Sequence, residues 1–315
     1  MKTRMLKPIF STLLSIALGA ALWAAVPASA SGAHYSVSKA KMDRALACKG
    51  GKASLDGKER FQPVLLVHGT GVTRQANWSW NYWKALPAAG FETCWVQLPQ
   101  SALADIQVGS EYVARAVAVM HRRTHENVDI LGHSQGGLQP RWAIKWFASG
   151  RHVGDYIGLA SPNHGTTVAD GFTMNGSMAP PAVWQMRRSA KFIAALNKGD
   201  ETPRHVHYTN IYTRTDELVQ PTGTQALKGG KNILLQDICP ERNVDHAGIA
   251  GDGLTYNLVI DALTHPGTAR VKRLPGNPCS ATTVPGSSPP PSNSAPDYTK
   301  GTLTDHEPQL KAYAR

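Results

Sequence analysis

The sequence predicts an α/β protein, built as a mostly parallel, doubly wound sheet with helices on both faces. Three observations carry that expectation. Short aliphatic and β-branched runs at 63–67, 91–98, 127–131, 155–160, 209–213 and 233–238 alternate with segments of helical periodicity. The run PVLLV at 63–67 is apolar throughout rather than alternating, as a strand buried on both faces of a parallel sheet is. The run at 127–131 leads directly into Gly132-His133-Ser134-Gln135-Gly136 and then an amphipathic pattern, so that strand, sharp turn and helix follow one another.

Composition suits a folded core: of 315 residues, 42% are hydrophobic and 17% charged. The N-terminus has the form of a secretory signal. Lys2, Arg4 and Lys7 precede an apolar stretch over 9–26, and Ala28-Ser29-Ala30 supplies small residues for cleavage after Ala30. A retained membrane anchor is the alternative, and the absence of a basic stop after the stretch argues against it. Cleavage removes three basic residues and takes the formal charge from +11 to +8. The remaining Lys and Arg are scattered, with no basic cluster interleaved with aromatics, so no nucleic-acid partner is expected. Cys48, Cys94, Cys239 and Cys279 are an even set in an exported chain, which implies two disulfides with three possible connectivities. Sequence-local pairing would close loops of roughly 45 and 40 residues, each worth about 2–4 kcal/mol. No cysteine spacing resembles a zinc site, and neither a metal nor a cofactor is expected.

Residues 31–60 form a polar, Gly/Lys-rich lead-in tied down at Cys48. After the strand at 63–67 comes His68-Gly69-Thr70-Gly71, then a helical segment bearing Trp78, Trp80, Tyr82, Trp83 and Leu86, ended by Gly90. The next strand is 91–98, and residues 112–120 have helical spacing, as a crossover helix does. The strand at 127–131 feeds Ser134, and 138–147 is the helix after it; Pro140 would crowd the carbonyl of Gly136, so an adjustment is expected in the first turns. Past the strand at 155–160, residues 161–183 break the rhythm. Phe172, Met174, Met178, Pro180, Pro181 and Val183 on this stretch suit either a short flap over the sheet's carboxyl edge or an ordinary covering helix. Strands at 209–213 and 233–238 and a helix at 254–263 complete the pattern. From 281 to 315 the composition turns Ser/Pro-rich (GSSPPPSNSAP), as in a flexible linker or a wrapping tail. The expected organisation is thus a signal at 1–30, one α/β domain at 31–280 and a tail at 281–315.

The turn at Ser134 requires small neighbours, because the serine must sit in a strained conformation with its Oγ pushed outward; Gly132 and Gly136 leave that room. A serine hydroxyl is a poor nucleophile until a neutral imidazole takes its proton and an acid orients that imidazole. In this arrangement the chain order is serine, acid, histidine. Among the histidines after Ser134, His205 and His207 flank a strand start, His164 comes too early, His265 ends a helix and His306 lies in the tail. His246, in a loop after the last strand with Gly248 nearby, remains. Asp216 lies just past the carboxyl end of 209–213 and is the expected acid; Glu217 would point elsewhere, Asp155 starts a strand, and Asp245 adjoins His246 too closely. Donors for a tetrahedral oxyanion are expected from the backbone N–H of Gln135, at the helix start, and of Thr70, with the Thr70 hydroxyl as a third.

The segments PVLLVHGTG (63–71), GFETCWVQLP (90–99), SQGGL (134–138), AVWQ (182–185), TNIYTRTDELVQP (209–221) and VDHAG (244–248) together resemble the Candida antarctica lipase B-like family of α/β-hydrolases, over about residues 48 to 280. The resemblance implies the α/β-hydrolase fold and metal-free hydrolysis of acylglycerol esters. It carries a triad onto Ser134, Asp216 and His246, oxyanion donors onto Thr70 and Gln135, and local pairing onto Cys48–Cys94 and Cys239–Cys279. His133, Val183 and Ile249 are the residues expected against the substrate. Two departures stand out. The family has Trp where this chain has His133, which reopens selectivity on the alcohol side, and the Ser/Pro-rich tail replaces the C-terminal portion that helps wall the family's pocket. The expectation is a secreted serine ester hydrolase, a lipase or carboxylesterase. It would act as a monomer on an ester or lipid substrate, at a lipid–water interface, with no stable membrane anchor. A polyester hydrolase or acyltransferase using the same residues is the alternative, and a binding module with a vestigial site is the rival from another class.

Overall fold

The computed structural model describes residues 33–174 and 177–315; the expected signal at 1–30 lies outside the described residues. Strands Leu46–Cys48 (β1), Val64–Val67 (β2), Thr93–Val96 (β3), Val128–His133 (β4), Val153–Leu159 (β5), His207–Tyr212 (β6) and Lys231–Leu234 (β7) form one sheet in the order β1-β3-β2-β4-β5-β6-β7. β1 pairs antiparallel with β3, and the remaining pairs are parallel. The helices are Lys39–Ala45 (α1), Arg74–Trp78 (α2), Tyr82–Ala88 (α3), Ile106–Thr124 (α4), Leu138–Trp146 (α5), Thr167–Phe172 (α6), Pro181–Gln185 (α7), Lys191–Asn197 (α8), Leu235–Ile238 (α9) and Gly253–Thr264 (α10).

Strand alternation divides the interior into two cores. Leu65, Val67, Val128 and Ile130 face one core with α1, α4, α5 and α8. Val64, Leu66, Leu131 and Ile157 face the other, with α2, α3 and α10. Side chains on successive strand positions point to opposite faces, so a run apolar at every position is what a doubly covered sheet demands.

Three segments depart from expectation. The lead-in contains α1 and the edge strand β1, whose Cys48 stands in register with Cys94 and is bonded to it. The second disulfide joins Cys239 and Cys279. Helix α4 begins at Ile106, well before 112, because its first turns bury polar side chains instead of exposing them. Glu111 accepts the N–H groups of Ser36 and Val37 at 2.6 and 2.9 Å, and Gln107 accepts from Lys311 N at 2.8 Å. The strand expected over 233–238 stops at Leu234. There the chain winds into α9 and turns Gln236 inward, where its Nε2 donates to Thr213 Oγ1 at 2.9 Å and to Arg242 O at 2.7 Å. Ahead of α5 the turn Ser134–Gly137 is a tight 3₁₀ turn, the adjustment that Pro140 calls for.

The tail lies on the body. Val284 N donates to Gly251 O, Ser288 N to Trp80 O and Asp297 N to Gly71 O, each at 2.9 Å. Farther on, Thr304 bridges Ala179, Glu307 accepts from Lys191 N and Phe192 N, and Tyr313 OH accepts from Trp142 Nε1 at 3.2 Å.

At the amino end of β4, opposite the Ser134 turn, Asp129 is buried and its Oδ1 accepts from Asp155 N at 2.8 Å. Burial, reinforced by the charge of Asp155, raises Asp129 well above the usual carboxylate range. Burial likewise raises Asp155 to about 6, although His207 Nδ1 stands 3.2 Å from its Oδ1. Carboxyls raised in the folded state hold protons there that the unfolded chain has released, so stability falls as pH rises above about 4, for Asp155 through the interval up to about 6. Asp129→Asn keeps the acceptor for Asp155 N and removes one charge. It is expected to stabilise the fold at pH 8 by on the order of 1 kcal/mol, about 2–4 °C in Tm. The gain should shrink at pH 5, and an unchanged or lower Tm at pH 8 would contradict the assignment.

Candidate active site

The parallel strands deliver the site residues to one edge. Thr70 follows β2, Ser134 follows β4, Asp216 follows β6, and His246 lies in the loop beyond β7 and α9. Ser134 has a left-handed φ of 57°, the strained conformation of a nucleophile elbow. The flanking glycines are required by contact. A Cβ on Gly132 would stand 2.2 Å from Gly136 O, and one on Gly136 would stand 2.3 Å from Val67 O.

Ser134, His246 and Asp216 form one hydrogen-bonded line. His246 Nε2 is 2.9 Å from Ser134 Oγ, and His246 Nδ1 is 3.0 and 2.9 Å from the two Asp216 oxygens. A carboxylate only accepts, so the Nδ1–H points at Asp216 and the Nε2 lone pair at the serine hydroxyl. Asp216 is buried, and its Oδ1 also accepts from Leu218 N at 2.9 Å and Val219 N at 2.8 Å. Glu217 turns away from the ring and accepts from His246 N at 3.0 Å, which braces the loop. Asp245 instead accepts from Gly248 N at 2.6 Å.

On the turn after β2, Gly69 N donates to Asn77 Oδ1 at 2.9 Å and Gly71 N to Ser101 O at 2.8 Å, which leaves the Thr70 N–H as that turn's free donor. Gln135 N opens the 3₁₀ turn, where the first N–H groups have no partner within the turn. The Thr70 hydroxyl is engaged, donating to Gln135 Oε1 at 2.7 Å. A third donor from Thr70 therefore has to leave that bond first.

A cavity of about 500 Å³ opens over Ser134 and His246. Among its walls are Val183, Met186, Leu218 and Val219, with Ala169 and Phe172 from α6. Of the residues expected against the substrate, His133 and Val183 line the cavity and Ile249 does not. Within the 3₁₀ turn Gly248–Gly251, Ile249 points into the core beneath and is fully buried, while Gly248 and Ala250 face the cavity. Sequence reasoning missed Asn77 and Met186, which carry no motif, and the tail residues Pro290, Ala295, Pro296 and Tyr298, which form part of the wall. Among the described residues no group of three or more His, Cys, Asp or Glu is placed to hold a metal ion.

Two further imidazoles are buried beside the site. His68 Nε2 accepts from Leu98 N at 2.9 Å, so its Nδ1–H donates to Gly69 O at 2.9 Å. Burial lowers its pKa to about 4. His133 is also lowered to about 4, by burial first and by the neighbouring His246 second.

The sheet order and the strand–turn–helix at Ser134 define the α/β-hydrolase fold. Comparison with known proteins narrows the class. The family model for lipase (class 2) matches residues 61–246. Lipase B of Pseudozyma antarctica is 31% identical over 243 residues, which are 75% of this chain and 70% of that one. The crystal structure of Aspergillus fumigatus lipase B superposes with a TM-score of 0.81 at 29% identity, covering 93% of this chain and 75% of that chain. Mature Bacillus licheniformis lipase BlEst2, at 16% identity and a TM-score of 0.56, shares the fold over 65% of this chain and 93% of its own. The chain belongs to the class 2 lipase family, and is a carboxylic ester hydrolase.

The buried neutral histidines set an acid limit on stability. A histidine whose folded pKa is depressed takes up its proton later than it does in the unfolded chain. The stability present above pH 6.5 is therefore lost as pH falls toward about 4, by up to about 1.4 kcal/mol per pH unit for each ring. In His68→Gln the side-chain oxygen can still accept from Leu98 N, and nothing titrates. Its Tm deficit against the parent at pH 7 should narrow by pH 4.5; a deficit constant with pH would show that His68 is not held neutral.

Proposed function

We propose that the protein is a secreted lipase that hydrolyses acylglycerol esters through an acyl-enzyme on Ser134. The line Ser134–His246–Asp216, closed at hydrogen-bonding distance throughout, carries the proposal. Ser134 Oγ attacks the ester carbonyl while His246 Nε2 takes its proton, and Asp216 holds the ring and stabilises the imidazolium. The N–H groups of Thr70 and Gln135 receive the oxyanion. His246 then returns the proton to the departing alcohol, and afterwards activates the water that cleaves the acyl-enzyme. Secretion accords with the N-terminal signal pattern and the two disulfides.

An apolar, aggregated substrate is favoured by the rim of the cavity. Among the described residues, the exposed large apolar side chains are Phe172, Met174, Met178, Tyr298 and Leu303. All five lie on two stretches of chain that touch each other, and Phe172 and Tyr298 line the cavity. The Phe172 and Tyr298 rings are 5.8 Å apart between centroids, and Ala179 pairs antiparallel with Thr304. Isolated exposed apolar residues are ordinary, but their concentration at one opening marks an interaction site.

Replacing Ser134 with Ala should lower p-nitrophenyl ester hydrolysis by roughly 10⁴-fold or more, and near-parental turnover would sink the proposal. Asp216→Asn preserves shape but allows the wrong imidazole tautomer, and a fall in kcat of about 10⁴-fold is expected. For the rim, Phe172→Ser with Tyr298→Ser should depress activity on emulsified triglyceride more than on a soluble acetate ester. Equal losses on both substrates would argue that the rim does not meet an aggregated phase.

A further inference from the structure

His133 occupies a position that a pocket wall alone does not require. Its ring is buried between two oxygens: Nε2 lies 2.9 Å from the backbone carbonyl of His246, and Nδ1 lies 3.1 Å from Asn77 Oδ1. That same Asn77 oxygen accepts the N–H of Gly69 at 2.9 Å, so the carboxamide cannot be turned round without losing the bond. Trp78 packs against the ring edge-on, at 6.3 Å between centroids. The turn after β2, the neighbour of the nucleophile and the loop of His246 thus meet through two side chains.

We propose that His133 and Asn77 are positioning residues, which hold the oxyanion turn and the His246 loop in register on either side of Ser134. The proposal rests on the assignment of Ser134, His246 and Asp216 to ester hydrolysis. A neutral imidazole has one N–H, and both of its neighbours are acceptors. The shorter contact assigns that N–H to Nε2, donating to the His246 carbonyl and fixing the loop that carries the base, while Nδ1 packs against Asn77 Oδ1 with no proton between them. On the other side, Asn77 fixes Gly69, one residue before the Thr70 donor. Burial keeps His133 uncharged, which suits a ring whose centroid is 5.2 Å from that of His246, the residue that becomes cationic during the reaction. Misplacement of a reacting group by about 1 Å can cost about 10²-fold in rate, so a brace of this kind acts on kcat.

Replacements that mimic one ring nitrogen at a time test the assignment. The glutamine amide reaches the place of Nε2, whereas the asparagine amide reaches only that of Nδ1. With p-nitrophenyl acetate, His133→Leu and His133→Asn should each lower kcat by about 10- to 100-fold at nearly constant KM, and His133→Gln should recover most of the loss. Asn77→Ala should also lower kcat, and the double variant with His133→Leu should lose less than the product of the two single effects. Cooperative thermal melting of each variant establishes that it folds. Equal kcat in the Gln, Asn and Leu variants would overturn the proposal, as would a loss confined to KM and graded with alcohol size, which marks a wall. If the parent protein cleaves esters while His133→Leu keeps parental kcat, positioning fails and ester hydrolysis stands; if the parent cleaves none, it is the functional assignment that fails.

Discussion

The close approach of the Ser134 turn to the end of β2 is the constraint on which the rest of the structure depends. Gly136 sits so near Val67 O and His68 O that a single methyl there would overlap both carbonyls. The contact wedges the elbow against the strand that continues into Gly69 and Thr70. A serine at φ 57° is costly by itself and persists only where its surroundings hold it. Here the register of β2 and β4, paired from Val64 with Asp129 to Val67 with Gly132, supplies the hold. The same register brings the Thr70 turn beside the turn ahead of α5, where the Thr70 hydroxyl donates to Gln135 Oε1.

Around that point the protein accepts a large burden of buried polar groups. His68, His133, Gln135, Asp216 and His246 are all buried, and a buried polar group without a partner typically costs about 1–3 kcal/mol. Most of that cost is met by pairing. His68 spends both nitrogens on backbone groups, Asp216 accepts two backbone N–H groups besides the His246 ring, and Glu217 holds the His246 backbone. Gln135 Nε2 is the exception, buried without a hydrogen-bond partner among the described residues, while its Oε1 holds the Thr70 hydroxyl. The two effects of acid on this chain oppose one another. Protonation relieves the Asp129 and Asp155 pair at the amino edge of the sheet, whereas burial makes protonation of His68 and His133 unfavourable near the carboxyl edge. One strand, β4, ends in both: Asp129 near its start and His133 at its finish.

What could be read from the sequence was whatever obeyed a period or an order. The interior strands were legible because both of their faces are covered, and Ser134, Asp216 and His246 were candidates because strand ends and chain order restricted the choice. The start of α4 was hidden by Gln107, Ser110 and Glu111, polar side chains that are buried; Gln107 and Glu111 bind distant parts of the chain, and Ser110 donates to Ile106 O within the helix. β1 spans only three residues and depends on register with β3, a long-range pairing that leaves no local pattern. Ile249 failed for a geometric reason: in a 3₁₀ turn adjacent residues diverge by about a third of a turn, so closeness to His246 in sequence does not decide which residue faces the cavity. Asn77 carried no signal at all, since its contacts with Gly69 and His133 arise only once the chain is folded.

The tail shows how a segment of low hydrophobicity can still shape a site. Its proline-rich stretch has less conformational freedom to lose on ordering than an ordinary chain, and its fixings are mainly backbone groups rather than apolar side chains. Those fixings fall on the loops that build the cavity. Gly251 follows the His246 loop, Trp80 lies in the wall, Gly71 adjoins Thr70, and Ala179 precedes α7. Gly71 is tied from both sides, its N–H to Ser101 and its carbonyl to Asp297, and a Cβ there would meet Asp297 N and Pro296 Cβ at 3.0 Å. The strap and the Thr70 turn are therefore closely fitted to each other. A change of length or composition between 284 and 298 would alter more than the outer wall, because it would reach the turn that presents the Thr70 N–H. The C-terminal segment thus links the shape of the opening, where Tyr298 meets Phe172, to the backbone of the Thr70 turn beside Ser134.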